Sequence, residues 1–185
     1  GFLEPDFDRD PVAANLRAIK KEYDRARKIA PHGVIGFNIM VALKHYEDYV
    51  QAAAQAGADL IISGAGLPTE LPKLTEGTKT ALAPIVSTAR SAGVILKFWD
   101  RKYHRVPDLE KGDFSPSFVA EDYDEEIREI IAVVREYGKR YQRQIPVALA
   151  GGIENREQVR HAFLLGADAV QVATRFVTTL ECDAD

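Results

Sequence analysis

The residues IPVALAGGIENREQVRHAFLLGADAVQVATRFVTT, at positions 145–179, decide the fold of this chain. An apolar run ends at Gly151-Gly152, an amphipathic segment follows at 155–165, and a second apolar run ends at Ala173-Thr174. This order is typical of a strand, a helix and a strand in a parallel α/β protein. It predicts two neighbouring strands whose carboxyl ends are each followed by small residues.

Composition is that of an ordinary α/β globular protein. The chain has 185 residues and 46% apolar content, enough to bury one core, so we expect a single domain over residues 1–185. A net charge of −4 gives no basic surface, which argues against nucleic acid and anionic membranes as partners. The single cysteine, Cys182, excludes an internal disulfide, and we expect a cytoplasmic protein.

Apolar periodicity predicts the helices and strands. Helical spacing predicts helices over 11–29 with Asp10 as N-cap, 46–56 closed by Gly57, 92–103, 127–141 capped by Asp122 or Asp124, and 155–165 closed by Gly166. Short apolar runs between turn residues predict five strands, over 33–40, 59–63, 81–87, 145–150 and 169–172. The Gly-Ala-Asp and apolar run after position 57 recur after position 166, which indicates a repeated βα unit.

The alternation of strands and helices breaks once. Residues 108–121, DLEKGDFSPSFVAE, are polar and rich in turn residues, and they separate two long helices without an apolar strand. Parallel strands each need a crossover, so either a middle strand is absent from the chain or residues are missing near Asp108 to Gly112; we favour missing residues. The start at Gly1 and the end soon after a strand add to the expectation of a partial (β/α)8 barrel, a fold of eight strands and about 250 residues.

Small residues at two adjacent strand ends favour a phosphate site. Glycine has no Cβ, so an anion can approach the backbone at Gly151-Gly152, and the positive end of the following helix dipole adds to the attraction. Ala173-Thr174 would offer further amide groups and a hydroxyl at the next strand end. The alternative is that both are tight turns whose small residues are needed for packing alone.

Several segments together resemble the nitronate monooxygenase family, formerly called 2-nitropropane dioxygenases. They are GVIGFNIMVAL, GADLIISGAGLP, ALAPIVSTARSAG, KFWDRKYHRVPD and IPVALAGGIENREQVRHAFLLGADAVQVATRF, which extend over nearly the whole chain. The last segment is the most specific. The same family contains flavin-dependent enoyl-acyl-carrier-protein reductases, and the resemblance implies an FMN-binding TIM barrel.

The resemblance also implies a set of cofactor-binding residues. The FMN phosphate would bind at Gly151, Gly152, Ala173 and Thr174. Asn38 would face the flavin ring, Ser63, Gly64 and Gly66 would line the adjacent strand end, and Ser87 would lie at a further strand end. No metal site is expected.

Two features of the resembled family are not found in this sequence. Relatives begin with a strand that carries a glycine-rich flavin loop, and they carry a glycine-glycine-histidine turn whose histidine is the usual base. That turn would fall near Asp108 to Gly112, so the catalytic residue is left unassigned. The four histidines of this chain are predicted to be solvated or packing residues rather than catalytic ones; they are His32, His45, His104 and His161.

The function implied by the resemblance is FMN-dependent oxidation of nitronates or nitroalkanes with oxygen. One alternative is an enoyl-thioester reductase that uses a nicotinamide donor, and another is a flavin-binding or phosphate-binding barrel without catalysis. A phosphosugar isomerase or lyase barrel would need a Lys or Glu at a strand end, and none is seen. We expect a small-molecule substrate, with a homo-oligomer as a candidate assembly.

Overall fold

Helices and strands alternate in the computed structural model, which describes residues 1–113 and 123–173. In chain order they are α1 (Pro11–Ile29), β1 (Gly36–Met40), α2 (Tyr46–Ala56), β2 (Leu60–Gly64), α3 (Leu71–Leu74), β3 (Ala81–Val86), α4 (Ala89–Tyr103), β4 (Glu110–Asp113), α5 (Asp124–Arg140), β5 (Val147–Ala150), α6 (Arg156–Leu165) and β6 (Ala169–Val170). The chain forms two units, Gly1–Ala83 and Pro84–Asp185, with the boundary inside β3.

The first unit is built on a parallel pair of strands. β1 and β2 pair in register from Gly36 opposite Leu60 to Met40 opposite Gly64. Paired residues in a parallel ladder share a face, and Ile39 and Ser63 are buried on one face. That face packs on the helices, while the side chains on the other face are exposed or partly exposed.

The second unit holds parallel strands in the order β3, β4, β5 and β6. Its core lies between this sheet and the helices α4, α5 and α6. The core is apolar and includes Val86, Leu96, Ile130, Val134, Val147, Leu149 and Leu165. Trp99 of α4 is also fully buried.

An arginine and an aspartate fix the start of the parallel strands in the first unit. Arg27 of α1 donates to Oδ2 of Asp59 at 2.5 Å and to the Gly33 carbonyl at 2.7 Å. The Asp59 carboxylate also accepts a hydrogen bond from the Ile35 amide at 2.8 Å. We call Arg27, Asp59 and this backbone the first clamp. It joins a helix, the residues before β1 and the residue before β2.

The second unit repeats the arrangement as a second clamp. Arg135 of α5 donates to Oδ2 of Asp168 at 2.6 Å and to the Ile145 carbonyl at 2.9 Å. The Asp168 carboxylate accepts from the Val147 amide at 2.7 Å. Arginine and aspartate are 32 residues apart in the first clamp and 33 in the second. The repeated Gly-Ala-Asp therefore has a physical basis, because its aspartate closes a clamp each time.

Most predicted elements are confirmed with small shifts. Helices α1 and α2 have the predicted bounds, and the Asp10 side chain accepts from the Ala13 amide as an N-cap. β1 and β5 begin later than predicted, since the residues before them bind a clamp instead of the neighbouring strand. The predicted cap of α5, Asp122 or Asp124, is wrong: the cap residue is Tyr123, and Asp124 begins an acidic first turn.

Of the two explanations for the break in alternation, the absence of a middle strand is wrong, while missing residues near Asp108 to Gly112 stay a prediction. Glu110–Asp113 form β4, which pairs with β3 on one side and with β5 on the other. Three charged residues and a glycine give no apolar alternation, so the sequence pattern could not reveal this strand. Backbone hydrogen bonds to two neighbours define it instead. The short helix α3 was not predicted either.

The first clamp should make folding stability depend on pH. The hydrogen bond from Ile35, and then Arg27, lower the pKa of Asp59. A lowered pKa stabilises the fold above the unfolded-state value of about 3.9, and this contribution is lost as pH falls through the folded-state pKa. We expect Asp59→Asn to melt at a lower temperature than the parent protein at pH 7, and the gap to narrow below about pH 4.

Thermal melts between pH 3 and 7 measure this gap. Asp24→Asn is the control, because Asp24 forms an exposed pair with Lys20, and such pairs contribute about 0–1 kcal/mol. A gap for Asp59→Asn that is the same at pH 3 and pH 7 would contradict the assignment.

Candidate functional site

The turn after β5 has the backbone geometry of an anion site. Gly151 has φ of 97° and Gly152 has φ of 63°, so both lie in the left-handed region that side chains disfavour. Within the described residues, no acceptor takes a hydrogen bond from either amide. Adjacent free amides in such a turn form a concave surface that binds anions.

Side chains of α6 and its N-cap already bind the backbone amides around the start of this helix, so the amides of Gly151 and Gly152 are the ones left for an anion. Asn155 and Gln158 form a capping box, in which Asn155 Oδ1 accepts from the Gln158 amide at 2.9 Å. Gln158 Oε1 accepts in return from the amides of Glu154 at 2.8 Å and Asn155 at 3.2 Å. An anion would therefore meet the glycine amides together with the positive end of the helix dipole.

Two more predicted residues lie at the same sheet edge of the second unit. Ser87 follows β3 and Ala173 follows β6, and both are exposed. Because β3, β5 and β6 are parallel, their carboxyl ends meet at one edge, where Gly151-Gly152 also lie. Thr174 lies outside the described residues. Four of the five predicted residues of this unit are thus at one edge.

The first unit holds the other predicted residues: Asn38 lies in the middle of β1, and Ser63, Gly64 and Gly66 lie at or just after the end of β2. Asn38 is exposed and lies opposite Ile62, whereas Ser63 lies opposite Ile39 on the buried face. The side chains of Asn38 and Ser63 therefore project from opposite faces of the strand pair. The structure does not bring these two side chains together.

Ser63 braces the interior of the first unit. Its side chain is fully buried, donates to the Ile39 carbonyl at 2.9 Å and lies 2.8 Å from the Tyr46 hydroxyl. Burial raises the pKa of Tyr46, so its hydroxyl keeps the proton and can donate to Ser63. The Ser63 hydroxyl is thereby fully engaged within the protein, which the strand pattern alone did not indicate.

The turn after β2 is tightly packed. Gly64 ends the strand, and its carbonyl accepts from the Val41 amide at 2.7 Å. Gly66 has φ of 135°, and a Cβ there would lie 3.1 Å from the Val41 side chain. Ala65, between them, has φ of 54°, which is uncommon for a residue with a Cβ. Small residues are needed here by the backbone and by Val41.

A cavity of about 450 Å³ opens beside this turn in the first unit. It lies between the β1–α2 connection and the β2–α3 connection, at the carboxyl ends of both strands. Its lining includes Val41, Lys44, His45, Asp48, Leu67 and Glu70. We call it the first-unit cavity. The sequence did not predict it, because it forms where two connections that are distant in the chain approach each other.

The histidines differ in their surroundings. His45 lines the first-unit cavity and places Nδ1 3.2 Å from Asp48. His161 of α6 lies 2.7 Å from Asp124, His104 ends α4 in the left-handed conformation, and His32 is exposed. His45 therefore lies at the carboxyl ends of β1 and β2 and borders the first-unit cavity.

The described part of the chain offers neither a group of metal ligands nor a membrane span. Over residues 1–113 and 123–173, no three His, Cys, Asp or Glu side chains are grouped so that they could hold a metal ion. Among the helices of the same residues, none combines the length and apolar character of a membrane span.

Parallel strands with crossover helices, and open glycine amides at a strand end, are typical of α/β proteins that bind phosphorylated ligands. A sequence model described as nitronate monooxygenase matches residues 7–185. The chain therefore belongs to the nitronate monooxygenase family, whose cofactor is FMN. A comparison with curated proteins found no match.

Solved structures share the fold at low sequence identity. FabK from Thermotoga maritima is 23% identical with a TM-score of 0.74, and the match covers 92% of this chain and 50% of FabK. Nitroalkane oxidase from Streptomyces ansochromogenes is 16% identical with a TM-score of 0.68, covering 91% of this chain and 57% of the oxidase. A mandelate oxidase variant with a monooxide FMN adduct is 18% identical with a TM-score of 0.54, and the match covers 77% of this chain and 49% of the oxidase. The chain spans about half the length of these proteins.

Ser63 and Ser87 should respond differently to substitution. Ser63→Ala leaves the buried Tyr46 hydroxyl without its partner, so we expect the free energy of unfolding to fall by about 1–3 kcal/mol. Ser87→Ala, at an exposed position, should change it by less than about 0.5 kcal/mol. Urea unfolding measures both variants. Equal losses of stability would contradict the bracing role of Ser63.

Proposed function

We propose that this chain is part of an FMN-dependent oxidoreductase of the nitronate monooxygenase type, which oxidises nitronates or nitroalkanes with oxygen. Family membership over residues 7–185 supports the class of enzyme, and the likeness to nitroalkane oxidase supports the class of substrate. The observation that carries the proposal is the open pair of glycine amides ahead of α6. This pair fits the phosphate of FMN.

The proposed architecture is a (β/α)8 barrel, of which residues 1–185 form part of a single FMN-binding domain. Parallel strands joined by helices in both units support this assignment. In such barrels the loops at the carboxyl ends of the strands form the active site, and the loops after the last strands often bind phosphate. Gly64, Ser87 and Gly151 lie at or directly after strand ends of this kind.

The proposed FMN contacts are those that membership of the family implies for each residue. Gly151, Gly152, Ala173 and Thr174 would hold the phosphate. Asn38, on the exposed face of β1, would face the flavin ring, and Ser87 would contact the cofactor from the end of β3. Gly64 and Gly66 would let the backbone approach the ring, while Ser63 would support that strand end from its buried face.

Bound FMN supplies the electron acceptor of the reaction. The residues of the chain supply binding, orientation and proton transfer. The amides of Gly151 and Gly152 are neutral backbone groups, so they can bind a phosphate dianion without a Lys or Arg side chain at the site. The segment after β4, where the family places its histidine, includes residues 114–122 outside the described part, and their sequence contains no histidine.

A second candidate function is reduction of an enoyl thioester by a nicotinamide donor through FMN. The likeness to FabK, an enoyl-acyl-carrier-protein reductase, supports it, with a TM-score of 0.74 against 0.68 for nitroalkane oxidase. Two assays separate the candidates. The proposed function predicts oxygen uptake with propionate-3-nitronate or a nitroalkane, whereas the second predicts NADH-dependent reduction of a crotonyl thioester.

The two assays together decide between the candidates. Oxygen uptake with a nitronate and no NADH-dependent reduction of crotonyl thioester is the expected result for the purified flavoprotein. The reverse pattern would replace the proposed function with the second candidate. A purified protein that neither contains FMN nor binds added FMN would contradict both.

Gly152→Ala tests the phosphate contact against a matched control. A side chain at Gly152 is strained at its φ of 63° and would disturb the turn that orients the two amides. We therefore expect the Kd for FMN to rise by about tenfold or more, the cost of one lost charge-assisted hydrogen bond. Gly77→Ala is the control, because Gly77 also has a left-handed φ of 79° but has open space around its Cβ position. Both variants should lose similar stability from backbone strain. Fluorescence titration of FMN measures the affinity.

The two glycine variants must differ in their affinity for FMN. An equal Kd for Gly152→Ala and Gly77→Ala, with similar melting temperatures, would place the phosphate elsewhere.

A further inference from the structure

The first-unit cavity has a form that suits a small substrate. Its volume is about 450 Å³, and Val41, Leu43 and Leu67 contribute apolar surface. Successive hydrogen bonds hold the connection on one side: the Leu43 amide donates to the Met40 carbonyl at 3.2 Å, and the Tyr46 amide to the Leu43 carbonyl at 3.1 Å. The cavity wall is therefore ordered by its own backbone.

His45 is held in one orientation at this cavity. Nδ1 faces the Asp48 carboxylate at 3.2 Å, which favours the tautomer with the proton on Nδ1 and leaves the lone pair on Nε2. The Tyr49 ring packs edge-on at 6.4 Å between centroids, and Asn15 Nδ2 donates to the Tyr49 hydroxyl at 3.2 Å. The imidazole is thus oriented by a carboxylate and by an aromatic ring that is itself held in place.

Side-chain capping of α2 does not account for a histidine at position 45. His45 is the N-cap residue of α2, yet its side chain makes no capping hydrogen bond. Asn, Asp, Ser or Thr serve that position better, because their short side chains reach the free amides of the first turn. The imidazole instead pairs with Asp48 and borders the cavity. Its placement therefore points to a role other than helix capping.

The charges around the cavity favour a neutral substrate. Glu47, Asp48 and Glu70 line it with carboxylates, and Lys44 is the cation beside His45 in its lining. Carboxylates outnumber the cation in this lining, so a neutral molecule meets less electrostatic repulsion there than an anion does. A neutral molecule that gives a proton to His45 fits these surroundings better than a molecule that arrives already charged.

We propose that His45 is a catalytic base that removes the proton of a neutral carbon acid, of the nitroalkane class, in the first-unit cavity. The proposal rests on the proposed function for the class of substrate. The C–H bond next to the nitro group breaks, its proton forms the Nε2–H bond of His45, and its electron pair remains on the substrate as a nitronate. Asp48 stabilises the imidazolium. This position lies after β1, not after β4 where the resembled family carries its histidine.

The first test compares a neutral substrate with its anion. We expect His45→Asn to lower kcat/KM for nitroethane by about 100-fold or more, the usual contribution of a general base. The same variant should change kcat/KM for ethylnitronate by less than about threefold, because the anion has already lost its proton. Asparagine also suits the N-cap position, so the melting temperature should not fall.

Two further variants define the role. Asp48→Asn should give a smaller loss for nitroethane than His45→Asn, since it removes the partner of the imidazolium but keeps the base. His161→Asn is the control, because His161 also pairs with an aspartate, Asp124 at 2.7 Å, but on helix α6. His161→Asn should leave kcat/KM unchanged for both nitroethane and ethylnitronate. An equal loss for nitroethane and ethylnitronate in His45→Asn would overturn the proposal.

A second readout does not depend on the flavin. In D₂O, the FMN-free protein should accelerate exchange of the α-hydrogen of nitroethane, followed by proton NMR, and His45→Asn should abolish the acceleration. Exchange that is unchanged in His45→Asn would overturn the assignment of His45. The proposed function fails separately, if the protein binds no FMN or consumes no oxygen with ethylnitronate.

Discussion

The structure depends on a partly exposed contact between an arginine, an aspartate and the backbone, which occurs once in each unit. Arg27 with Asp59, and Arg135 with Asp168, bind the backbone just before a strand and just after a helix. Each carboxylate accepts from one backbone amide at the start of a strand, that of Ile35 just before β1 or that of Val147 in β5, so the residue at which the strand enters the ladder is fixed. Since a strand rises about 3.3 Å per residue, fixing its start also fixes where it ends.

The residues proposed to bind FMN lie toward the opposite ends of these strands. Asn38 and Gly64 come near the ends of the strands that follow the first clamp, and Gly151 comes directly after a strand that follows the second clamp. The chain carries a net charge of −4, and yet the proposed phosphate site uses neutral amides rather than a group of basic side chains. Amide groups held by a turn are already oriented, so binding needs little reorganisation.

Much of this arrangement could be predicted from the sequence, because helices and apolar strands carry periodic signals. The bounds of α1 and the cap at Asp10 followed from spacing and from one residue type. β4 could not be predicted, since backbone pairing alone defines it. The burial of Ser63 depends on which face of β2 meets α2, and the cavity at His45 depends on two connections brought together by the register. These are tertiary facts that local patterns do not contain.

The central claim is that the amides of Gly151 and Gly152 bind the phosphate of FMN. Comparing FMN with riboflavin, which lacks the phosphate, tests it most directly through the amide chemical shifts of ¹⁵N-labelled protein. We predict that FMN shifts the resonances of both glycines and that riboflavin leaves them nearly unchanged while still shifting the Asn38 side-chain amide. Glycine resonances that FMN does not move, or that riboflavin moves equally, would contradict the claim.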